Sequence, residues 1–407
     1  MTRATSRRAF LESSALAIPV LFGLETARGY AAGETITVGC LGTGGRCQGL
    51  MRSLAKVPGV KIAAVCDVYD PHLASARKLA DPQALATKHF HEVLERKDID
   101  AVLIGAPDHW HTPMTIAACQ AGKDVYVEKP VTHDLGEGAR LLQARDDSKR
   151  VIQVGMQQRS MPHIQKAYSL MHEGRLGRVF RVHLTWNRGG ETRMRKGPMG
   201  VDPHALLWKD FLGSAPDQPF DEYRFRNWRW FWDFGGGILT DLMVHWIDVA
   251  HWFLGVDHPE KAAAFGDQLA SKGVWQTPDT IQCVLEYPGE SQAHFEGTFS
   301  NAHRGAMITF MGTQATLYID RGGFILTPEP SSKAQPESWI LGTNPKRGLD
   351  FYDKPDAELF HLTNWIDRVR DRGVPAAPVE AGIAAAAAAH LGNQAFRSGQ
   401  VAHWTSA

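Results

Sequence analysis

Apolar and polar positions alternate in two different ways along this chain. Up to about residue 155, short and almost entirely apolar runs alternate with amphipathic stretches. Such runs are typical of parallel strands that helices cover on both faces. The pattern predicts strands at 35–41, 60–67, 101–105, 123–128 and 151–154, with helices at 46–57, 71–79, 91–96, 112–121 and 135–146.

From about residue 156 the apolar positions recur every second residue, which favours a mostly antiparallel sheet. The section 328–355 carries many Pro, Ser and Gly residues and is predicted to be a long loop. The chain is therefore expected to be α/β, with a parallel sheet followed by an antiparallel one. The predicted strands are 179–186, 280–287, 293–300, 306–313 and 315–320, and the predicted helices are 163–173, 357–370 and 379–399.

The first residues have the pattern of an export signal. Arg7 and Arg8 precede the apolar stretch 15–24, and small residues follow at 29–33. This order is typical of a twin-arginine signal peptide, and the apolar stretch is too short for stable membrane insertion. We expect recognition by the twin-arginine export machinery and a periplasmic or otherwise exported protein. The alternative is a chance Arg-Arg pair before a cytosolic domain.

Length and composition set the outer limits. A chain of 407 residues is too long for one average core, so two domains are expected after the signal. The formal net charge of zero does not favour nucleic acid as a partner. The predicted divisions are a signal peptide at 1–32, a nucleotide-binding domain at 33–155 and a substrate-binding and oligomerisation domain at 156–407, whose last helices are expected to pack back on the first domain.

A glycine-rich turn follows the first predicted strand and opens the first helix. Glycines there allow backbone N–H groups to approach a pyrophosphate. The next strand ends on Asp67, and a carboxylate at that place accepts hydrogen bonds from ribose hydroxyls and repels a 2′-phosphate. NAD is therefore preferred, with NADP as the alternative because Arg46 could meet a phosphate. The expected cofactor contacts of the turn are Gly42, Thr43, Gly44, Gly45 and Arg46.

The third strand ends in a short polar motif, Ala106-Pro-Asp-His-Trp-His111. Ligands bind at the carboxyl ends of strands in open α/β sheets, so this motif is expected beside the cofactor. A zinc site at the two histidines lacks a third ligand, and no metal is expected. The predicted cofactor contacts are Ala106, Pro107, His109, Trp110 and His111, with Gln157 further along the chain.

A lysine stands at the end of a buried strand, in Glu128-Lys129-Pro130. Placing an ammonium group there costs free energy, which suggests proton transfer beside a nicotinamide ring. Successive side chains of a strand point to opposite faces, so only one of Glu128 and Lys129 is expected to face the cofactor directly. The alternative is a surface lysine paired with Asp124 or Glu128.

Three glycines at 235–237 lead into a predicted helix that carries Asp241, His245 and Asp248. Their spacing of i, i+4 and i+7 places them on one helical face. An acid that orients an imidazole near a lysine suits reversible proton transfer to a hydroxyl group. The alternative is an aspartate at a helix N-terminus together with a core histidine.

Aromatic residues are concentrated around this helix, and aromatic rings cover the apolar C–H faces of sugars. Arg159, Trp230 and Asp248 are the candidate substrate contacts. A glycine-rich stretch nearby is interpreted as a solvated loop, with recognition of an acidic group as the alternative. The basic residues of that stretch are Arg188, Arg193, Arg195 and Lys196.

These motifs resemble the glucose–fructose oxidoreductase and inositol dehydrogenase (Gfo/Idh/MocA) family. The resemblance rests on GTGGR at 42–46, VCD at 65–67, VEKP at 127–130 and GGGILTDLMVHWID at 235–248, and the segment 208–216 is similar to exported members. It implies a Rossmann domain followed by an α/β domain whose open sheet face forms dimer or tetramer contacts. Lys129, Asp241 and His245 match the family's usual catalytic positions.

Three functions follow as hypotheses. The first is an NAD(P)-dependent oxidoreductase that acts on a carbohydrate or cyclitol carbinol, with a tightly bound cofactor that a second sugar regenerates after export. The second is a glycoside hydrolase that oxidises the sugar transiently at C3 and then eliminates the aglycone. The third is a non-catalytic binding protein, against which the intact set of Lys129, Asp241 and His245 argues.

Overall fold

The computed structural model describes residues 34–190, 194, 196–289, 291–341 and 356–405. The predicted signal peptide at 1–32 lies outside these residues, as do Arg193 and Arg195. None of the described helices combines the length and apolar character that crossing a membrane requires.

The first domain is built on a six-stranded parallel sheet with strand order β3-β2-β1-β4-β5-β6. This order is that of a dinucleotide-binding sheet, and it confirms the predicted parallel fold. The strands are β1 (Ile36–Leu41), β2 (Val60–Cys66), β3 (Leu85–Thr87), β4 (Ala101–Ile104), β5 (Asp124–Val127) and β6 (Ile152–Val154).

Helices cover both faces of this sheet, as the apolar strands require. One prediction was wrong at its start: the helix expected from residue 112 begins at Asp108, so the polar motif after β4 lies in its first turn. The helices are α1 (Gly45–Leu54), α2 (Asp70–Arg77), α3 (Phe90–Leu94), α4 (Asp108–Gln120) and α5 (Glu137–Ser148).

The second domain is built on a nine-stranded sheet, mostly antiparallel, with β7 and β10 as its parallel pair. Four of its strands were not predicted, and one of them, β14, lies inside the section expected to be loop. The strands are β7 (Val179–Asn187), β8 (Lys261–Asp267), β9 (Thr280–Tyr287), β10 (Ser291–Thr298), β11 (Ala306–Gly312), β12 (Ala315–Asp320), β13 (Gly323–Pro328), β14 (Glu337–Ile340) and β15 (Ala402–His403).

The second domain contains the helix that carries His245. A π-helical turn, Leu239–Met243, runs directly into the helix that carries His245. These helices are α6 (Pro162–His172), α7 (Trp208–Leu212), α8 (Glu222–Arg226), α9 (Val244–Leu254), α10 (Ala357–Asp371) and α11 (Val379–Ser398).

The last two helices join the domains. Trp365 of α10 is fully buried in a core that it shares with β1 and α1. Helix α11 lies between the two sheets, and its Gly382 faces Val154 so closely that a Cβ there would stand 2.6 Å from that side chain. Small residues therefore let α11 approach β6 and hold the two sheets together.

Candidate active site

The glycine-rich turn forms one wall of a cavity of about 630 Å³ at the carboxyl edge of the parallel sheet. Gly42 has a φ of +69°, and a Cβ at this position would lie 2.5 Å from the backbone of Ala106. Only glycine fits such a turn, and Gly45, which also lines the cavity, then opens α1. We refer to this space as the glycine-turn cavity.

Asp67 directly follows β2 and lies on the wall of the glycine-turn cavity. Its Oδ1 accepts a hydrogen bond from the Tyr69 N–H at 2.9 Å, and its Oδ2 lies 3.4 Å from His72 Nδ1. The carboxylate is thus held in one orientation at the place expected for a ribose. The predicted contacts that line this cavity are Gly42, Gly44, Gly45, Arg46, Asp67, Ala106, Pro107 and Trp110.

A segment of the second domain, residues 205–226, lies across the glycine-turn cavity and is called the strap here. Its Phe211 carbonyl accepts hydrogen bonds from Trp110 Nε1 at 3.0 Å. The N–H of Leu207 donates to the carbonyl of Val68 at 3.0 Å, and Arg226 lies 3.0 Å from His72 Nε2. Several strap residues line this cavity, among them Lys209, Phe211 and Arg226.

Two predicted cofactor contacts, His109 and Thr43, line neither this cavity nor the second cavity that continues from it. His109 points away from it, into a cluster with Phe211 and Phe234, and lies 2.9 Å from the Phe211 carbonyl. Because α4 starts at Asp108, its first turn rotates His109 inward, and burial lowers the pKa of this ring to about 4. Thr43 is fully buried behind the glycine turn and lines neither cavity.

A second cavity of about 510 Å³ continues from the first and is called the lysine cavity. The two cavities share the lining residues Arg46, Ala106 and Arg229, so the cavities form one continuous cleft. The predicted residues that line the lysine cavity are His111, Glu128, Lys129, Gln157, Trp230, Asp241 and His245.

Lys129 is held by Asp241 at the floor of the lysine cavity. Its Nζ donates to Oδ1 at 2.9 Å and to the main-chain carbonyl at 2.7 Å. Arg229 Nε donates to the same Oδ1 at 3.2 Å. Burial alone would raise the pKa of Asp241, but the two cations outweigh it and hold that pKa well below its usual range.

Glu128 and Lys129 both line the lysine cavity and neither lines the glycine-turn cavity, so which of them faces the cofactor directly stays a prediction. Strand β5 ends at Val127, and the alternation of strand side chains does not extend past its last residue. Glu128 forms an ion pair with Arg46 at 2.9 Å, and Arg46 also bonds Glu358 of α10. The C-terminal helices thereby fix one wall of the cleft.

His245 stacks on Trp186, with ring centroids 5.0 Å apart and planes at 26°. Its Nδ1 is buried and has no hydrogen-bond partner among the described residues, so Nε2 is the nitrogen that a ligand in the cavity can reach. Burial, followed by the charges of Lys129 and Arg321, holds the pKa of this ring well below its usual value. His245 is therefore a neutral proton acceptor.

Arg159 and Asp248, both predicted substrate contacts, instead pair with each other. Arg159 Nε and Nη2 each lie 2.8 Å from an Asp248 oxygen, and neither residue lines the cleft. Asp248 shares a face with Asp241 but lies about 10 Å further along the helix axis, beyond the end of the cavity. The pair joins α9 to the turn after β6.

Trp230, the third predicted substrate contact, does line the lysine cavity. It stacks on Trp275 with centroids 4.4 Å apart, and the Phe299 ring meets it edge-on at 4.9 Å. These rings make an apolar wall opposite the charged groups.

Asp108 is a site residue that the sequence reasoning missed. It opens α4, lines the lysine cavity and is 4% exposed. Burial raises the pKa of its carboxyl well above the usual value, against the opposing charges of Lys129 and Arg229. The sequence feature that could have identified Asp108 is its position directly after Pro107, in the polar motif that follows β4. No metal-binding group of three His, Cys, Asp or Glu side chains occurs in the part of the chain that the structure covers.

Two family models match the chain. Residues 36–156 match "Oxidoreductase family, NAD-binding Rossmann fold", and residues 211–318 match "GFO/IDH/MocA C-terminal domain". Together they cover the first domain and part of the second, and they include Lys129, Asp241 and His245.

Among curated proteins, a Glycosyl hydrolase family 109 protein of Solibacter usitatus is 32% identical over 165 residues, 36% of this chain and 37% of that protein. An Inositol 2-dehydrogenase of Salmonella typhimurium is 28% identical over 249 residues, 61% of this chain and 63% of that protein. The matches thus span between about a third and two thirds of these relatives' length.

Solved structures share the fold. Levoglucosan dehydrogenase in complex with NADH and levoglucosan superposes with a TM-score of 0.70 at 16% identity, covering 91% of this chain and 99% of that one. A putative myo-inositol dehydrogenase from Sinorhizobium meliloti gives a TM-score of 0.65 at 19% identity, with 91% and 99% covered.

Proposed function

Because the chain belongs to the Gfo/Idh/MocA family of oxidoreductases, we propose that it transfers hydride between NAD and a carbinol of a carbohydrate or cyclitol. The observation that carries the proposal is the position of Lys129, Asp241 and His245. They line a cavity that continues directly from the glycine-rich turn, so a reacting carbinol can lie between a dinucleotide and a proton acceptor.

The glycine-turn cavity fits a dinucleotide. Gly44, Gly45 and Arg46 line the cavity at the start of α1, where backbone N–H groups stabilise a pyrophosphate. The oriented Asp67 carboxylate suits the two ribose hydroxyls of NAD, and it would repel the 2′-phosphate of the alternative, NADP. When bound, NAD supplies the hydride acceptor of the oxidation.

The protein's own groups handle the proton. In the direction of oxidation, the neutral His245 Nε2 takes the hydroxyl proton while the C–H bonding pair leaves as hydride. The Lys129 ammonium, held by Asp241, donates a hydrogen bond to the same oxygen and stabilises its developing negative charge. Reduction uses the same groups in reverse.

A sugar ring suits the apolar wall of the lysine cavity. Trp230, Trp275 and Phe299 offer ring faces and edges to sugar C–H groups, and the charged side chains opposite can bind hydroxyls. The wall and the proton acceptor lie in one cavity, which favours a carbohydrate or cyclitol over a flat aromatic alcohol.

Tight retention of the cofactor is part of the proposal. The strap lies over the glycine-turn cavity and is fastened by Trp110, Val68 and His72. Retention suits export, because the twin-arginine route, supported by Arg7 and Arg8, carries folded proteins. The cofactor is then loaded before export and regenerated by a second sugar in the periplasm or another exported location.

The predicted homodimer or homotetramer would form through the open face of the nine-stranded sheet. Val284 on β9 and Ile325 on β13 lie on one face of that sheet with 38% and 44% of their surfaces exposed. Exposed apolar residues on two strands of this face support a protein contact there.

The second candidate is a glycoside hydrolase, favoured by the 32% identity to Glycosyl hydrolase family 109 proteins. Oxidation at C3 would acidify the C2 hydrogen, and a base would remove that proton while the aglycone leaves C1 with its bonding electrons. Water would add at C1, and C3 would be reduced again. His245 and Lys129 would serve in both redox steps.

Purification without added cofactor, followed by absorbance and mass measurement, tests retention of NAD. The protein is then offered sugar pairs and aryl glycosides. An oxidised sugar supports the oxidoreductase, and released aglycone without net oxidation supports the hydrolase. A protein that neither binds NAD nor turns over any of these compounds contradicts both.

A further inference from the structure

The carboxyl group of Asp108 is buried and has no partner among the described residues. Asp108 is 4% exposed, and no described side chain or backbone group donates a hydrogen bond to its carboxyl or forms an ion pair with it. Asp241, by contrast, accepts a hydrogen bond from Lys129 at 2.9 Å. Glu128 is paired with Arg46, also at 2.9 Å. A buried polar group without a partner costs free energy, so the position of Asp108 needs an explanation.

The Asp108 carboxyl opens to the lysine cavity. Asp108 lines this cavity and does not line the glycine-turn cavity. Its oxygens are not among the polar atoms that the described part of the chain seals inside the protein without a hydrogen bond. Burial raises the pKa of Asp108, and the charges of Lys129 and Arg229 oppose that rise. The carboxyl therefore lies near the groups that handle the proton, on the substrate side of the cleft.

A purely structural role does not explain this burial. Asp108 is the first residue of α4, and an acid at that place is stabilised by the helix dipole. Asp70 is the first residue of α2 at the same edge of the sheet, and its side chain is 53% exposed. An exposed acid can thus interact with a helix dipole without the cost of burial. The burial of Asp108 indicates that its partner is a group of the ligand.

We propose that Asp108 binds a second hydroxyl group of the substrate, in addition to the hydroxyl group that reacts. This inference rests on the proposed function and adds a specificity-determining residue to the same site. An ionised carboxyl accepts a hydrogen bond from a hydroxyl group, and a protonated carboxyl can both donate and accept. The contact therefore forms in either protonation state. The substrate class is a compound with at least two hydroxyl groups, as opposed to a simple secondary alcohol.

The contact makes the site selective. When a sugar that lacks this hydroxyl group binds, the carboxyl of Asp108 loses its access to water and gains no hydrogen bond in exchange. Sites that hydrogen-bond a hydroxyl group reject the deoxy analogue for this reason. Asp108 therefore determines which deoxy sugar the protein rejects.

The test is equilibrium binding to the NADH-loaded protein, with D-glucose and its 2-, 3-, 4- and 6-deoxy derivatives as probes. In the wild-type protein, at least two derivatives are expected to bind about tenfold more weakly than glucose, because the reacting hydroxyl and the hydroxyl on Asp108 each contribute. Asp108→Ala is expected to bind glucose about tenfold more weakly and to lose no further affinity for one of these derivatives. This non-additivity identifies the hydroxyl group that Asp108 contacts.

Two further variants separate this role from a structural one. Asp108→Asn keeps an acceptor oxygen and is expected to bind glucose more tightly than Asp108→Ala does. It should unfold at a temperature no lower than the wild-type protein, because the carboxyl has no partner in the described protein that the substitution removes. Asp70→Asn is the control at the matching helix position and should bind every probe as the wild-type protein does.

The outcomes keep the two proposals apart. If Asp108→Ala shows the same loss for every deoxy derivative relative to glucose as the wild-type protein, the inference is wrong and the oxidoreductase proposal stands. The same holds if Asp108→Asn unfolds at a clearly lower temperature, or if the NADH-loaded wild-type protein binds no glucose. If NADH itself does not bind, both proposals fail.

Discussion

Lys129 contacts Asp241 twice, through the carboxylate at 2.9 Å and through the main-chain carbonyl at 2.7 Å. Lys129 lies just after β5 of the parallel sheet, and Asp241 lies in the π-helical turn of the other domain. The site is therefore assembled at the junction of the domains, and its geometry depends on their packing.

Asp241→Asn is expected to lower kcat by about 100-fold, because a neutral amide holds the ammonium group less firmly and orients it poorly. Affinity for NADH should be almost unchanged, since Asp241 does not line the glycine-turn cavity. Steady-state kinetics and fluorescence titration with NADH measure the two effects. Asp257→Asn, at an exposed aspartate beyond α9, is the control. Equal kcat values in the two variants would contradict this role.

Arg159→Leu and Asp248→Asn are expected to destabilise the fold, by about 3 kcal/mol each, because each leaves a buried charge or amide without its partner. Urea unfolding measures this loss. The folded fraction should keep the wild-type KM for its sugar. A large rise in KM without a loss of stability would restore the pair as substrate contacts.

Gly42→Ala is expected to cost several kcal/mol of stability and to abolish NADH binding, because its Cβ would lie 2.5 Å from the Ala106 backbone. Gly174→Ala is the matched control. Its φ of +78° is also left-handed, but nothing lies within 4 Å of the added Cβ. Its cost should stay near 1 kcal/mol, as expected for the backbone conformation alone. Similar losses in both variants would show that the tight approach to Ala106 is unimportant.

Stability should fall as the pH is lowered from about 7 toward 5. Burial lowers the folded pKa of His111, His361 and His390 to about 4, below the value near 6.5 of an unfolded histidine. Between these two pKa values the unfolded chain binds more protons than the folded protein. Each ring therefore lowers the free energy of unfolding by up to about 1.4 kcal/mol for each pH unit of acidification. Urea unfolding at several pH values measures the slope.

His390→Gln provides the check on this pH dependence. The variant should take up about one proton fewer on unfolding, so its free energy of unfolding should depend less steeply on pH. This holds whatever its effect on stability at neutral pH. A flat pH profile in the wild-type protein, or an unchanged slope in this variant, would mean that these rings titrate normally.

Much of the fold was predictable because its strands are short, apolar and separated by helices. Strand β2 was placed to within one residue, and β9 and β12 at both ends. Strand β14 was missed because its pairing with β13 is a long-range contact inside a segment rich in loop-forming residues. A propensity signal cannot show such a pairing.

Part of the candidate site could be predicted because a strand or helix pattern alone fixes where the residue lies. Lys129, Asp67 and His245 are of this kind. The site was not predictable where rotation at an element's end decides the direction of a side chain. His109 turned inward because α4 begins at Asp108, four residues earlier than predicted. Asp248 lies on the expected face, but too far along α9 to reach the cavity, and only the three-dimensional position of Arg159 shows its partner.

The most direct test of the central claim is a single-turnover measurement on the NAD-loaded protein. Wild-type protein mixed with a sugar that it turns over should show the absorbance of reduced nicotinamide. Lys129→Ala should bind NADH with wild-type affinity and show this signal at a rate lower by about a thousandfold or more, while Lys97→Ala, at an exposed lysine of the same domain, reacts normally. Reduction at the wild-type rate in Lys129→Ala would contradict the account.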